Sequence, residues 1–449
     1  MHARRLLIWA LVAVSVPVWA EPLAEHVVLV SVDGFRPEFY RDSTWPAPTI
    51  QQLARDGASA DGVRGVFPTV TYPSHTTMVT GVMPAEHGVL FNRPFEPGGQ
   101  TGRWYWEYDA IRVPTLWTVA REAGMKTASV SWPVSAGAPI DWTVPEIWAL
   151  EGEDRLKPMR DWARPTGLWE ELEKYATGAL TMETYSASYI ARDDETGQIA
   201  AYLMKQYTPA LLALHLIATD HFQHEDGREA DSTRRAVACA DNAIRMLVEA
   251  ADQAGVLDKT AFVIVGDHGF VDLHTEIAPN VWLRDAGLIE DRKDRGTWRA
   301  AFHCEAGGAF LKLNDPNDSD AAVMALEVVQ NAPAHIAKQF RIVSSDELAA
   351  IGADPDAIFG LSAGLGATFS ERTNGDALGP TSGGTHGYYP TDFPEVLTGL
   401  VVSGAGVEAG RTIHRAGLED VAPLVAALLG LEMPEAILGA APTGVLTRP

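Results

Sequence analysis

Acidic and imidazole side chains recur at equivalent points of this sequence. Asp33 lies in SVDGFR, directly after the β-branched run Val27–Val32. Asp220 and His224 lie in ATDHFQH after Leu211–Ile217, and Asp267 and His268 lie in VGDHGF after Phe262–Val265. His386 occupies the glycine-rich stretch TSGGTHGYY, where backbone can approach a ligand closely. Three acids delivered to one place repel each other unless a cation or shared protons offset their charge. Mixed Asp and His ligands suit zinc or another first-row divalent ion better than magnesium or calcium, which prefer oxygen shells. Singly these signals have plainer readings: a DHG also makes a turn with a capping Asp, and Asp33 also suits the N-cap of a helix after Pro37. Their common placement after apolar runs points to a two-metal site. A hydrolytic site also needs a nucleophile, and FPTVTYPSHTTMVTG (Phe67–Gly81) offers Thr69, Thr71, Ser74, Thr76, Thr77 and Thr80 before and inside an expected helix. A metal-held hydroxyl at a helix N-terminus can attack phosphorus, but chemistry alone does not choose among these, and Ser74 also reads as an N-cap.

The elements that must position these residues are short apolar runs alternating with helical stretches. Strands are expected over His26–Val32, Lys126–Trp132, Leu211–Ile217, Thr260–Val265 and Val396–Val402. Ser232–Ala254 carries Val237, Ala240, Ile244, Leu247, Val248 and Ala251 at helical spacing with one buried face. A second helix is expected over Glu419–Leu429. This alternation predicts an α/β fold with a mostly parallel central sheet and helices on both faces, whose carboxyl strand ends line one crevice. Residues 270–385 are too long and irregular for a single crossover and are expected to form an inserted cap or subdomain, with a strand at Ala309–Leu313. Residues 21–269 and 386–449 then form the catalytic domain.

With 449 residues, 46% apolar and 21% charged, the chain can bury a large core, which excludes intrinsic disorder. A net charge of −24 argues against nonspecific binding to nucleic-acid backbone. Cys239 and Cys304 are too few for a disulfide scaffold, and their pairing is open. Residues 1–20, with Arg4 and Arg5 before the apolar run Leu6–Trp19 and small residues at Val18 and Ala20, are expected to be a secretory signal peptide. The protein is therefore expected to be exported, periplasmic or secreted, with no membrane span. Its oligomeric state is not legible.

In their order, SVDGFRP, FPTVTYPSHTTMVTG, MPAEHGVLFN, the Asp220–His224 pair, GDHGF and GGTHGYY resemble the nucleotide pyrophosphatase/phosphodiesterase family of the alkaline phosphatase superfamily. The motifs run from residue 31 to 388 and are specific together rather than singly. The resemblance implies an alkaline-phosphatase-like core and Thr71 as nucleophile. It implies one zinc on Asp33, Thr71, Asp267 and His268, and a second on Asp220, His224 and His386. Asn92 matches the family's asparagine that hydrogen-bonds a phosphoryl oxygen, and Tyr72 an aromatic residue that stacks on a nucleobase; packing is an equal reading for Tyr72. The implied activity is in-line hydrolysis of a small-molecule phosphodiester or pyrophosphate, nucleotide-type substrates favoured, through a phosphoryl-threonine, with no sequence-specific nucleic-acid binding. Between Asp220 and His224 the family's usual small residues are replaced by His221, Phe222 and Gln223. His221 is thus an extra imidazole, expected beside the site without ligating.

Other residues have structural readings. His75 and His87 are expected to bond to backbone, His274 and His303 to lie at the surface, and the cluster Trp104, Tyr105 and Trp106 to pack in the core or loops, with stacking on a substrate group as the alternative. Within enzymes the competing activity is phosphomonoester or phosphonate hydrolysis. Monoesterases that use threonine carry a Lys-x-Arg pair where this chain reads SVSWPVSAGAP (Ser129–Pro139), without a positive charge. A sulfatase would need Cys or Ser as nucleophile. A secreted metal-binding protein without turnover is the remaining alternative.

Overall fold

The computed structural model describes residues 21–292, 294–434 and 437–447, so the expected signal peptide over residues 1–20 lies outside the described residues. The central sheet contains β1 (His26–Val32), β2 (Ala58–Ala60), β3 (Thr127–Val130), β4 (Trp142–Val144), β5 (Leu211–Leu216), β6 (Thr260–Val265), β7 (Leu400–Gly404) and β8 (Arg411–Ile413), in the order β8-β2-β7-β6-β1-β5-β3-β4. β6, β1, β5, β3 and β4 run parallel. The sequence pattern explains why. Along β1, Val28, Val30 and Val32 enter one apolar core and Val27 and Leu29 the other, so both faces need helical cover.

One face is covered by α1 (Pro48–Asp56), α3 (Tyr189–Tyr207) and α5 (Asp231–Gln253); the other by α2 (Thr71–Thr80) and α6 (Val421–Leu429); α4 (Ala218–Asp226) sits at the sheet edge after β5. The expected helix over Ser232–Ala254 is α5, displaced by one residue at each end.

Differences from the expected strands have local causes. The strand expected over Val396–Val402 begins at Leu400 and runs antiparallel to both β6 and β2. Before it, Thr398 N–H donates to the Val63 carbonyl and Gly399 N–H to the Phe35 carbonyl, which ties these residues to loops instead of the ladder. The strand expected to reach Trp132 stops at Val130 because Ser131 adopts a left-handed φ of 56°. Cys239 on α5 and Cys304 are both free thiols.

Between β6 and β7 the chain builds a separate antiparallel sheet of Phe340–Val343, Gly360–Ala363, Gly308–Leu313 and Ala300–Glu305, packed around Phe302, Leu311 and Leu361. This segment leaves along Val271–Asp272 and returns along Gly384–Thr385, which pair antiparallel. The pairing delivers residue 386 beside the strand ends.

His303, expected at the surface, is instead buried. Its Nδ1 lies 2.7 Å from Glu371 Oε1 and its Nε2 3.3 Å from Glu305 Oε1. Phe91 and Phe95 pack edge-on against its ring, at 4.5 and 5.6 Å, so it supports the loop carrying Asn92. Burial opposes protonation of His303, but the two glutamates outweigh it and push the imidazole up to about 9. A raised histidine stabilises the fold fully below its unfolded value near 6.5, and that contribution is lost as pH rises through about 9. The gap corresponds to about 3 kcal/mol at most. Melting temperature should therefore fall between pH 6.5 and 9.5 more steeply in the natural sequence than in His303→Gln. Parallel pH profiles would contradict this pairing.

Candidate active site

The carboxyl ends of β6, β1 and β5, neighbours in the sheet, converge at one edge. Asp33 follows β1, Asp267 and His268 follow β6, and β5 hands over to α4, where Asp220 and His224 stand one turn apart. That handover is held by Asp193 of α3, whose carboxylate accepts the Ile217 and Ala218 N–H groups, each at 2.9 Å. Gly34, at φ 67°, turns the chain after Asp33 so that its N–H donates to Asp267 Oδ1 at 3.0 Å. Gly383 brings the returning loop against α4; a Cβ there would lie 2.0 Å from the His224 carbonyl oxygen.

Backbone carbonyls set the direction of three imidazoles. His224 Nδ1 lies 2.8 Å from the Gly384 oxygen, His386 Nδ1 2.9 Å from the Thr69 oxygen, and His268 Nδ1 3.1 Å from the Gly269 oxygen. A carbonyl only accepts, so each Nδ1 carries a proton, and in the neutral ring each Nε2 presents a lone pair. Those lone pairs point inward. His224 Nε2 and His386 Nε2 are 3.1 Å apart, with Asp220 Oδ1 at 3.3 and 3.5 Å from them. His268 Nε2 lies 3.2 Å from Asp267 Oδ2 and 3.3 Å from Asp33 Oδ1. Asp33 Oδ1, Asp220 Oδ1, Asp267 Oδ2 and His268 Nε2 are buried without a hydrogen-bond partner.

Acceptors facing acceptors in a buried cluster need a cation between them, and this mixed nitrogen and oxygen set fits a first-row divalent ion. Asp220, His224 and His386 form one group with mutual ligand distances within 4.8 Å, and Asp33, Asp220 and His268 form another. Asp220 thus belongs to both, where the family resemblance places Asp267 with Asp33 and His268; Asp267 Oδ2 stands beside the second group.

Burial raises Asp33 well above the ordinary carboxylate range, and the charges of Asp267 and Asp220 add to it. Burial likewise pushes Asp267 up to about 6. Burial acts the same way on Asp220, but the charge and hydrogen bond of His224 beside it outweigh burial and hold it below the usual range. Burial drives His268 down to about 4 and His386 well below its ordinary value, which keeps both rings neutral and available as ligands. Burial also opposes protonation of His224, yet Asp220 beside it leaves that imidazole raised.

A cavity of about 870 Å³ opens on this cluster, bordered by Asp33, Thr71, Asn92, Asp220, His224 and His386. Of the serines and threonines in Phe67–Gly81, Thr71 alone borders it. Thr69 is committed to the Tyr388 carbonyl at 3.0 Å, Thr76 to the Tyr72 carbonyl, Thr77 to His87, and Thr80 to the Thr76 carbonyl. α2 begins at Thr71 with Val70 as its cap residue, so Ser74 is inside the helix and caps nothing. Asn92 Oδ1 accepts the Tyr72 N–H at 2.8 Å, which turns the amide NH2 of Asn92 away from the helix end. The Tyr72 ring is fully buried under Trp104, at a centroid distance of 5.1 Å, with only an edge on the cavity.

The other singled-out residues have clear places. His75 Nδ1 bonds the Thr71 carbonyl, and His87 accepts the Val89 N–H. His274 is exposed, on Thr275 Oγ1. His221 borders the cavity but stacks on Tyr189 at 3.6 Å, outside both ligand groups. Two residues escaped the sequence reading. His215 on β5 joins Asp33 Oδ2 at 3.0 Å to Glu146 Oε2 at 3.2 Å, holding the carboxylate edge of Asp33 that faces away from His268. The one available signal was a lone polar residue in the apolar run LLALHL; Glu146, in the loop after β4, carried none.

Removing metal should leave this cluster electrostatically frustrated. Metal-stripped protein should melt several degrees higher with zinc than with magnesium, since an ion at a hundred times its Kd adds about 2.7 kcal/mol. Asp220→Asn, which touches both groups, should lose most of that gain. An unchanged melting curve on adding zinc would contradict the assignment.

Comparison with known proteins places this geometry. Residues 27–388 match the family model described as type I phosphodiesterase / nucleotide pyrophosphatase. Similar curated proteins include rat ectonucleotide pyrophosphatase/phosphodiesterase family member 3, 23% identical over 54% of this chain and 24% of that protein, and the venom phosphodiesterase of Naja atra, 25% identical over 54% of this chain and 26% of that protein. The chain spans about a quarter of the length of these relatives. Among solved structures, human ectonucleotide pyrophosphatase/phosphodiesterase 5 aligns over 91% of this chain and 96% of its own, with a TM-score of 0.64 and 17% identity. The murine protein, in an inactive form in complex with AMP, aligns over 92% and 96% with the same TM-score. The fold is the alkaline-phosphatase-like α/β architecture, and the chain belongs to the type I phosphodiesterase / nucleotide pyrophosphatase family.

Proposed function

We propose that this protein is an exported phosphodiesterase of nucleotide-pyrophosphatase type, in which Thr71 attacks phosphorus and two divalent ions, zinc preferred, occupy the convergent Asp/His groups. The observation that carries the reading is Thr71 at the start of α2, bordering a cavity large enough for a bulky ester, beside buried acceptors that need cations. Bound there, divalent ions would offset the acids, acidify a coordinated hydroxyl or water, and neutralise charge on phosphoryl oxygens. The rest falls to this chain. The N-terminal end of α2 favours an anionic phosphoryl group. The Asn92 amide donates to a nonbridging oxygen. The Thr71 oxygen forms its bond to phosphorus as the bond to the ester alcohol breaks, and the alcohol leaves with a proton. Water then attacks the phosphoryl-threonine, releasing Thr71 and a monoester. Asp33, Asp267 and His268 stand for one ion and Asp220, His224 and His386 for the other, with Asp220 close to both. Residues 270–385 form an inserted subdomain on a catalytic domain of residues 21–269 and 386–449. Tyr72 and Trp104 shape the wall that receives the ester group.

Export rests on the pattern of residues 1–20; among the described residues no helix is long and apolar enough to cross a membrane. A nucleotide-type diester is the favoured substrate, by analogy with the relatives' names and the AMP bound to the murine protein. No residue of Ser129–Pro139 borders the cavity, so that stretch offers no cation for a monoester dianion.

Hydrolysis of matched nitrophenyl diester and monoester substrates tests the proposal. Diesters should be preferred roughly tenfold to a hundredfold in kcat/KM, the worth of one missing charged contact. Thr71→Ala should lower turnover by about a thousandfold or more, and Thr69→Ala, which loses only its bond to Tyr388, by less than about tenfold. Equal effects of the two variants would remove Thr71 as nucleophile; a monoester preference would make the protein a phosphatase.

A further inference from the structure

The cavity has a second, cationic wall that the hydrolysis just described does not use. Arg192 lies in the first turns of the 19-residue α3, four residues past its cap Ser188, and borders the cavity together with Arg155. The Nε and Nη2 atoms of Arg192 are buried and donate to nothing. The guanidinium sits 5.6 Å over the ring of Tyr185, a contact that leaves the Nε and Nη2 edge without an acceptor. Glu146 and Asp193 are close enough to act on its charge, but the first carboxylate is engaged by His215 at 3.2 Å and the second by the Ile217 and Ala218 N–H groups. Arg155 is exposed at the rim, where its Nε donates to the Ala149 carbonyl at 3.2 Å. Trp148, Leu156, Met159 and Met182 line the same cavity with apolar surface.

A guanidinium held in a cavity with its Nε and Nη2 donors unmatched is arranged for an acceptor from outside, and that planar edge matches the paired oxygens of a phosphate or carboxylate. We propose that Arg192, supported by Arg155, forms a subsite for a second oxyanion carried on the ester group of the substrate, so that this chain selects diesters bearing an anionic group beyond the scissile phosphoryl. The proposal rests on the reading of the cavity as a phosphodiesterase site.

The test uses three probes of equal tether length: propyl, 3-carboxypropyl and 3-phosphonopropyl esters of 4-nitrophenyl phosphate. Calorimetry on Thr71→Ala protein, loaded with zinc, gives affinity apart from turnover. At least one anionic ester should bind ten to a hundred times more tightly than the propyl ester, and Arg192→Gln should erase the difference while leaving propyl-ester affinity within about threefold. Arg192→Lys should restore part of it. The two anionic probes tell phosphate from carboxylate recognition. Equal affinities for all three esters, or an equal loss for all three in Arg192→Gln, would overturn the subsite and leave the hydrolase reading intact. An affinity difference without nitrophenol release by the Thr71 protein would uphold the subsite and overturn the hydrolase.

Discussion

The rest of the site depends on three hydrogen bonds from imidazole Nδ1 atoms to main-chain carbonyls. By fixing the protons of His224, His268 and His386 on the outer nitrogens, the Gly384, Gly269 and Thr69 carbonyls turn all three inner lone pairs towards buried carboxylates. A pair of imidazole acceptors 3.1 Å apart and four buried ligand atoms without partners make sense only around positive charge. The acids alone would be forced towards protonation, as the upward displacement of Asp33 and Asp267 shows. Metal binding is in this sense part of the fold's own electrostatic balance.

The architecture exists to make those hydrogen bonds possible. Parallel neighbours β6, β1 and β5 place three chain reversals at one edge, and Asp193 pins the turn that starts α4. The inserted segment closes the arrangement. Its paired exit and return strands bring Gly384 and His386 to α4, so the carbonyl that orients His224 and the ring that faces it arrive on the same loop. His303, clamped between Glu305 and Glu371, extends the support to the loop carrying Asn92. A segment remote in sequence thereby reaches both the Asp/His cluster and the Asn92 side of the cavity.

What was legible in the sequence was what is local. His26–Val32 and Thr260–Val265 form strands over the expected residues because buried parallel strands are uninterrupted apolar runs. Asp33, Thr71, Asp220, His224 and His386 border one cavity, with Asp267 and His268 packed against Asp33, because most of them follow a strand end or lie near the start of a helix. What depends on partners far apart in the chain was not legible. The late start of β7 follows from ties to Val63 and Phe35, the burial of His303 from two glutamates, and the prominence of His215 from Glu146 and Asp33. The choice of Thr71 among six hydroxyls needed the resemblance in sequence, whereas in the structure the competing hydroxyls have backbone or histidine partners or lie away from the cavity.

The central claim is that the inward lone pairs define two cation positions sharing Asp220. Anomalous diffraction at the zinc absorption edge, from crystals of protein reconstituted with zinc, tests it most directly. The account predicts two peaks, one within reach of Asp220, His224 and His386 and one within reach of Asp33 and His268. A single peak, or peaks away from these side chains with the imidazole Nε2 atoms turned elsewhere, would contradict it.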